Sequence, residues 1–177
     1  PGTDNRYGCS SGQALLIAGV WHLWFVSWRE WINHEDGLRE PRYDIRLATS
    51  NDCITWHQNP EPVIALAGEF EGGLARPWVV PSKNGYEMWF SVRGRFDPKD
   101  PTLRHYRIGY ATSQDAKCWV RKDAAHSFTP PPQRSDWDFE MQCYASVIVD
   151  NNQSYMFYCG NDHGRFGIGY ALRAASS

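Results

Sequence analysis

Carboxylates, arginines and aromatic side chains gather in three short stretches of the chain: Asp4-Asn5-Arg6-Tyr7, Glu69-Phe70-Glu71 followed by Arg76, and Asp136-Trp137-Asp138-Phe139-Glu140. Paired carboxyl groups equip a site for general acid and base chemistry when one of them stays protonated near neutral pH. Glu140 is the leading candidate acid, because it abuts aromatic residues and a strand, where partial burial would raise its pKa. Asp138 and Glu71 are the companion carboxylates. The alternative is that Glu140 merely satisfies an arginine such as Arg76. Arg76, oriented by the following Pro77, and Arg93, closing Ser91-Val92-Arg93-Gly94, carry the planar fork that holds carboxylates or hydroxyl groups. Either could instead neutralise a buried carboxylate. Asn161-Asp162-His163-Gly164-Arg165 reads most plainly as an Asx and glycine turn, with Asp162 and His163 as candidate ligand-binding side chains. The six histidines show no His-x-x-x-His pair and the cysteines no Cys-x-x-Cys pair, so no metal site or other cofactor is expected.

The elements that must position these residues repeat. Tyr43 to Trp56 (YDIRLATSNDCITW) and Tyr106 to Trp119 (YRIGYATSQDAKCW) share a tyrosine start, an Ala-Thr-Ser-x-Asp core and a closing tryptophan. Phe166 to Arg173 (FGIGYALR) is a shorter third copy, so the starts lie 63 and 60 residues apart. Each copy follows an aromatic-rich strand (Trp21 to Ser27, Tyr86 to Val92, Ser154 to Gly160). Ahead of each of these lies another apolar strand (Gln13 to Val20, Trp78 to Pro81, Tyr144 to Val149). A fourth strand begins at Trp56 or Trp119, and the third copy lacks one. In each turn Asp52 or Asp115 is placed to accept backbone N–H groups two residues on, while Ser50 or Ser113 starts the turn. The period is therefore a four-stranded antiparallel meander. A sandwich is the competing layout, but identical meanders of about 60 residues favour radially stacked blades. The predicted class is all-β, with about three β-propeller blades (near 9–64, 75–124 and 140–173) in one domain, a Pro-rich connector at 127–135, and long hairpin loops at Trp28 to Arg42 and Arg93 to His105.

Composition narrows the partners. Across 177 residues the net charge is −2, which argues against a nucleic-acid binder with its basic stripe. No apolar stretch approaches the ~20 residues of a membrane span. The five cysteines are odd in number, read as reduced core or turn thiols, and favour a cytoplasmic setting. Three repeats are fewer than the four to eight blades of a typical closed propeller, and the chain opens on Pro1. A fragment or processed chain is expected, or else a short protein that closes by pairing with itself as a homodimer.

At these residues the chain resembles the five-bladed β-propeller glycoside hydrolases, the fold of families 43 and 32 and their relatives, from about Gly12 to Ala171. The blade signature is matched by Tyr86 to Ser91 and Ile108 to Trp119. The last-blade motifs are matched by Ala75-Arg76-Pro77, Arg107 to Ser113, Trp137 to Met141 and Met156 to Gly169. The resemblance implies a carbohydrate ligand and hydrolysis by two carboxyl groups, about 5 Å apart for retention or about 6.5 to 9.5 Å for inversion. It also implies a catalytic aspartate on the first blade and a second on the next. If these are the final three blades, both lie outside this sequence. A non-catalytic glycan-binding or self-assembling propeller is the alternative function. Trp137, led toward the blade funnel by the connector, and Trp28, placed with Trp31 at a hairpin tip, are candidate platforms for pyranose faces; packing against a partner subunit is the alternative for Trp28. One departure concerns the turns: the glycine that usually follows Asp is Cys53 in one and Ala116 in the other, at a position that wants positive φ.

Overall fold

In the computed structural model, residues 5–125, 137–151 and 153–174 are described. Asp4, Asp136 and the predicted connector lie outside them. The protein is all-β, and its chain divides into two compact units, one holding the described residues up to Pro77 together with Arg93–Arg104, the other holding Trp78–Val92 and the described residues from His105 onward.

In the first unit, β1 (Cys9–Ile17), β2 (Val20–Asn33) and β3 (Arg39–Ser50) form an antiparallel meander, with β4 (His57–Gln58) on the outer side of β3. The β1–β2 connection is the two-residue turn Ala18-Gly19, both at positive φ, the geometry that matches strand twist. This turn ends β1 three residues earlier than the predicted Val20. Trp24, Val26, Ile45, Leu47, Ile64 and Leu74 form the buried apolar core of this unit.

The long hairpin expected as a loop from Trp28 to Arg42 is ladder instead. Strand β2 continues to Asn33, pairing Trp28 with Tyr43 and Ile32 with Glu40 across a register shift at Arg29. Only His34 to Leu38 turns, closed by the His34 carbonyl accepting from Gly37 N–H at 3.0 Å. Cross-strand rings hold this arm together: Trp28 stacks on Tyr43 at 6.1 Å and meets Trp31 edge-on at 5.6 Å. Trp28 is thus half-buried within a strand rather than at an open tip.

Strand β5 (Glu71–Ser82) begins in this unit and meets β3 in parallel at one bridge, Tyr43 with Gly73. Arg93 secures that seam. Its Nε donates to Tyr43 Oη at 2.7 Å, Nη1 to Glu40 Oε1 at 3.2 Å and the Gly94 carbonyl at 3.0 Å, and Nη2 to the Pro41 and Gly72 carbonyls at 2.6 and 2.8 Å. All five guanidinium donors are used, and Phe96 covers the group at 4.7 Å. Glu40 is 1% exposed and accepts a second bond at Oε2 from His34 Nε2 at 3.0 Å. Gly72 and Gly73 are required here, since a Cβ on the first would lie 2.5 Å from Glu40 Oε1 and on the second 2.2 Å from the Tyr43 ring.

In the second unit the remainder of β5 is followed by β6 (Gly85–Gly94, of which Gly85–Val92 belong here), β7 (Tyr106–Ser113) and β8 (Val120–Arg121) in that hydrogen-bonded order. Strands β9 (Cys143–Asp150), β10 (Gln153–Cys159) and β11 (Ile168–Ala174) make a three-stranded antiparallel sheet. Val80, Trp89, Ile108, Tyr110, Ala145, Val147 and Met156 form one core cluster. Glu87 ties β11 to the neighbouring strands by accepting from Tyr110 Oη at 2.6 Å and Arg173 Nη2 at 2.5 Å. Burial and the Glu87 carboxylate push the Tyr110 phenol up to about 12.

The two Ser-x-Asp turns are near copies. Asp52 Oδ1 accepts from Ile54 and Thr55 N–H, and Asp115 Oδ1 from Lys117 and Cys118 N–H, at 2.7 to 2.9 Å. Ser50 and Ser113 bond to the same carboxylates. Cys53 and Ala116, where glycine was missing, sit at φ 60° and 61°, so these turns hold residues with a Cβ in the left-handed region. The fourth strands are short, two residues each.

Two outcomes are expected. Backbone donors hold the Asp115 carboxyl down to about 2, against 3.8 for a free group. Its contribution is complete above the unfolded pKa and lost as pH falls from near 4 through 2. Asp115→Ala should cost about 1 kcal/mol at neutral pH, its exposure keeping the effect small, with the deficit shrinking in urea titrations run toward pH 2. Arg93→Met should cost about 3 to 5 kcal/mol by leaving Glu40 buried and unpaired, and adding Glu40→Gln should recover part of it; equal stability of the single and double variants would remove the ion pair as the cause.

Candidate functional site

The first strand of each repeat carries one non-glycine residue at positive φ: Ser11 in β1 (48°), Arg76 in β5 (53°) and Tyr144 in β9 (57°). Register shifts accompany Ser11 and Tyr144, the mark of bulges that re-aim a side chain. Strained backbone of this kind costs of order 1 to 3 kcal/mol and gathers at functional sites. Arg76 is half-buried and belongs to this series.

Around Tyr144 the second unit assembles a mouth. The N–H of Tyr144, displaced from the ladder by the bulge, donates to Ser91 Oγ at 2.8 Å. Its phenol is hydrogen-bonded to His163 Nδ1 at 3.3 Å. The rings of Tyr106, at the start of β7, Tyr144 and His163 lie 5.5 to 6.1 Å apart. Asp162 and His163 both adopt left-handed backbone, φ 52° and 57°, in the tight turn Asn161–Gly164, which main-chain bonds close and which also carries the imidazole.

Asn161 joins this turn to the acidic segment. Its Oδ1 accepts from the N–H groups of Glu140 and Met141, each at 2.9 Å, and its own N–H donates to the Trp137 carbonyl at 2.9 Å. The segment of Glu140, which leads into the strand of Tyr144, and the turn of Asp162 and His163 are therefore bonded directly to one another. Asp162 is exposed and pairs with Arg165 at 3.4 Å.

Several sequence expectations change. Glu140 is exposed, so the partial burial invoked for it is not present. The buried carboxylate of the segment is Asp138, 6% exposed, accepting from Tyr158 Oη at 2.6 Å; burial and this carboxylate push the Tyr158 phenol up. Trp137 stacks on Tyr158 at 5.6 Å and is gripped by Gly160 and Gly169, where a Cβ would fall 2.3 Å from its ring. Part of its ring surface is thereby used in packing. Arg93 is saturated, as the ion-pairing alternative had it. Glu71 is buried in the first unit with Oε2 accepting from Ala67 N–H at 2.7 Å.

The sequence reading missed Tyr106 and Tyr144 as site residues, although the tyrosine start shared by the copies was the available signal. It also missed Asp44, whose carboxyl is raised by burial against the lowering influence of Arg46 and Arg29. No group of three His, Cys, Asp or Glu side chains able to hold a metal occurs among the described residues, and no helix among them is long and apolar enough to cross a membrane. A separate concavity of 610 Å³, lined by Ser82, Tyr86, Glu87, Tyr110, Gln114 and Lys122 among others, contains none of the predicted site residues.

Comparison with known proteins brings out the fold. No family model matches the sequence. The uncharacterized protein Rv1502 of Mycobacterium tuberculosis (strain ATCC 25618 / H37Rv) is 31% identical over 156 residues, covering 87% of this chain and 47% of that protein. The chain thus spans about half the length of the curated relatives it matches. Zg3597, a family 117 glycoside hydrolase from the marine bacterium Zobellia galactanivorans, superposes with a TM-score of 0.69 at 15% identity over 93% of this chain and 50% of its own. A thermostable family-43 glycoside hydrolase superposes at 0.64 with 16% identity over 96% of this chain and 58% of its own. With its meander repeats, bulged first strands and Ser-x-Asp turns, the chain has the fold of the β-propeller glycoside hydrolases of family 43, 32 and 117 type.

Proposed function

We propose that the chain is part of a carbohydrate-active protein of the propeller glycosidase type, and that the mouth around Tyr144 receives a sugar ring. The observation that carries this reading is the strained Tyr144, which places a phenol against His163 beside an aromatic partner and the loop of Glu140. Sugar rings offer hydroxyl groups to hydrogen bond and C–H faces to aromatic surfaces, and this mouth supplies both. Among the described carboxyl groups of the mouth, Glu140 is the one left to act as an acid, since Asp138 is committed to Tyr158 and Asp162 pairs with Arg165. Hydrolysis also needs a second carboxylate, and on this reading it comes from the first-blade aspartate of a complete propeller.

A second reading, self-assembly, is favoured by one further observation. The outer face of the β9–β11 sheet exposes Ile148, Phe157, Ile168, Tyr170 and Leu172, each at least 39% accessible. Blades of this fold bury such faces against neighbouring blades, and a second copy of the chain offers the same kind of meander.

Saturation-transfer NMR with a panel of monosaccharides and aryl glycosides tests the first reading. His163→Ala should weaken any sugar bound to the chain about tenfold, the effect of losing one hydrogen bond worth about 1.4 kcal/mol. Where turnover is measurable, Glu140→Gln should abolish it while the circular dichroism spectrum stays unchanged; retained turnover would remove Glu140 from the site. For self-assembly, light scattering over a concentration series should give a dimer that Tyr170→Lys with Leu172→Glu converts to monomer. A wild-type monomer throughout would sink that reading alone.

A further inference from the structure

We propose that Cys143 and Cys159 are a thiol pair that closes into a reversible cross-strand disulfide beside the Tyr144 mouth. The two residues are direct partners on the antiparallel strands β9 and β10. Residues directly opposed in this way share a face of the sheet and hold their Cα atoms roughly 4.5 to 5.5 Å apart. That spacing lies within the Cα range of roughly 4.4 to 6.8 Å found across disulfides. All five cysteines are free thiols, but the other three, Cys9, Cys53 and Cys118, are exposed, whereas Cys143 is buried and Cys159 half-buried. Gly164 leaves space beside the outer thiol, since a Cβ there would come 3.1 Å from Cys159 Sγ.

The unequal burial orders the chemistry. Burial, with Cys159 nearby, pushes the Cys143 thiol up to about 12, so Cys159 is the one that meets a reagent first. Its thiolate attacks a small-molecule disulfide such as oxidised glutathione, forming a mixed disulfide and releasing one small thiol. Cys143, giving up its proton, then attacks Cys159 Sγ and displaces the second small thiol. The protein loses two electrons and two protons, and the small disulfide gains them as two thiols. The new bond joins the residue immediately before Tyr144 to the strand end two residues before Asn161, so oxidation clamps both supports of the mouth. It does not depend on the sugar reading.

The experiment is incubation of the folded chain with oxidised glutathione, followed by thiol titration and non-reducing peptide mapping. Loss of two of the five thiols, recovery of a linked peptide pair containing Cys143 and Cys159, and a raised thermal midpoint are expected. Dithiothreitol should restore all five. In Cys143→Ser the reaction should stop at a glutathione adduct on Cys159. The variant lacking Cys9, Cys53 and Cys118 as serines should still form the link. Five thiols remaining, pairing through the exposed cysteines, or a lasting adduct on Cys159 in the wild-type chain would each overturn the proposal.

Discussion

The parallel seam between β3 and β5 has a single backbone bridge, and the guanidinium of Arg93 supplies the bonds that the backbone does not. A parallel contact this short cannot orient two strands, so their placement falls to side-chain bonding. Arg93 bonds the carbonyls of Pro41 and Gly72 from one nitrogen, so its planar fork sets the spacing of the two chains. Burying that charge is tolerable because every donor is met and a buried carboxylate stands beside it. The glycines of β5 follow from the same constraint, since the strand must approach the Tyr43 ring and the guanidinium closer than any Cβ permits.

The second unit reaches order by other means. Its core is apolar, and two of the polar groups that enter it are aromatic hydroxyls aimed at carboxylates: Tyr110 at Glu87 and Tyr158 at Asp138. Each bond lets a large ring be buried without stranding its polar tip. Trp137 extends this arrangement into the acidic segment. Fixed between two glycines and stacked on Tyr158, it anchors the loop from which Glu140 projects. Asn161 ties that loop to the turn bearing His163, so the mouth is preorganised by packing and by three bonds of Asn161, two accepted by its side-chain oxygen and one donated by its main-chain N–H.

Much of this was legible in the residues. The Ser-x-Asp turns could be read because Asx chemistry is local, and the positive φ at Cys53 and Ala116 followed from the glycine that each turn lacks. The strands of all three repeats could be read from aromatic periodicity. The hairpin arm from Trp28 could not, because the register shift at Arg29 breaks the alternation and charged residues then imitate a loop. Exposure was equally closed to inspection: nothing local distinguishes Asp138 from Glu140, and a tyrosine twenty residues on decides which is buried. Apart from the adjacent Gly94 carbonyl, the hydrogen-bond partners of Arg93 lie more than twenty residues away in sequence, so composition could pose the choice between sugar and carboxylate without resolving it.

The positive-φ residues of the three first strands carry a consequence for how such a chain changes over time. Ser11, Arg76 and Tyr144 each occupy a backbone conformation that glycine adopts at no steric cost, so at each position glycine would ease the backbone while erasing the side chain. Mutational drift toward stability and retention of a working surface therefore pull in opposite directions at these sites. The chain holds a hydroxyl, a guanidinium and a phenol where the backbone alone would accept hydrogen.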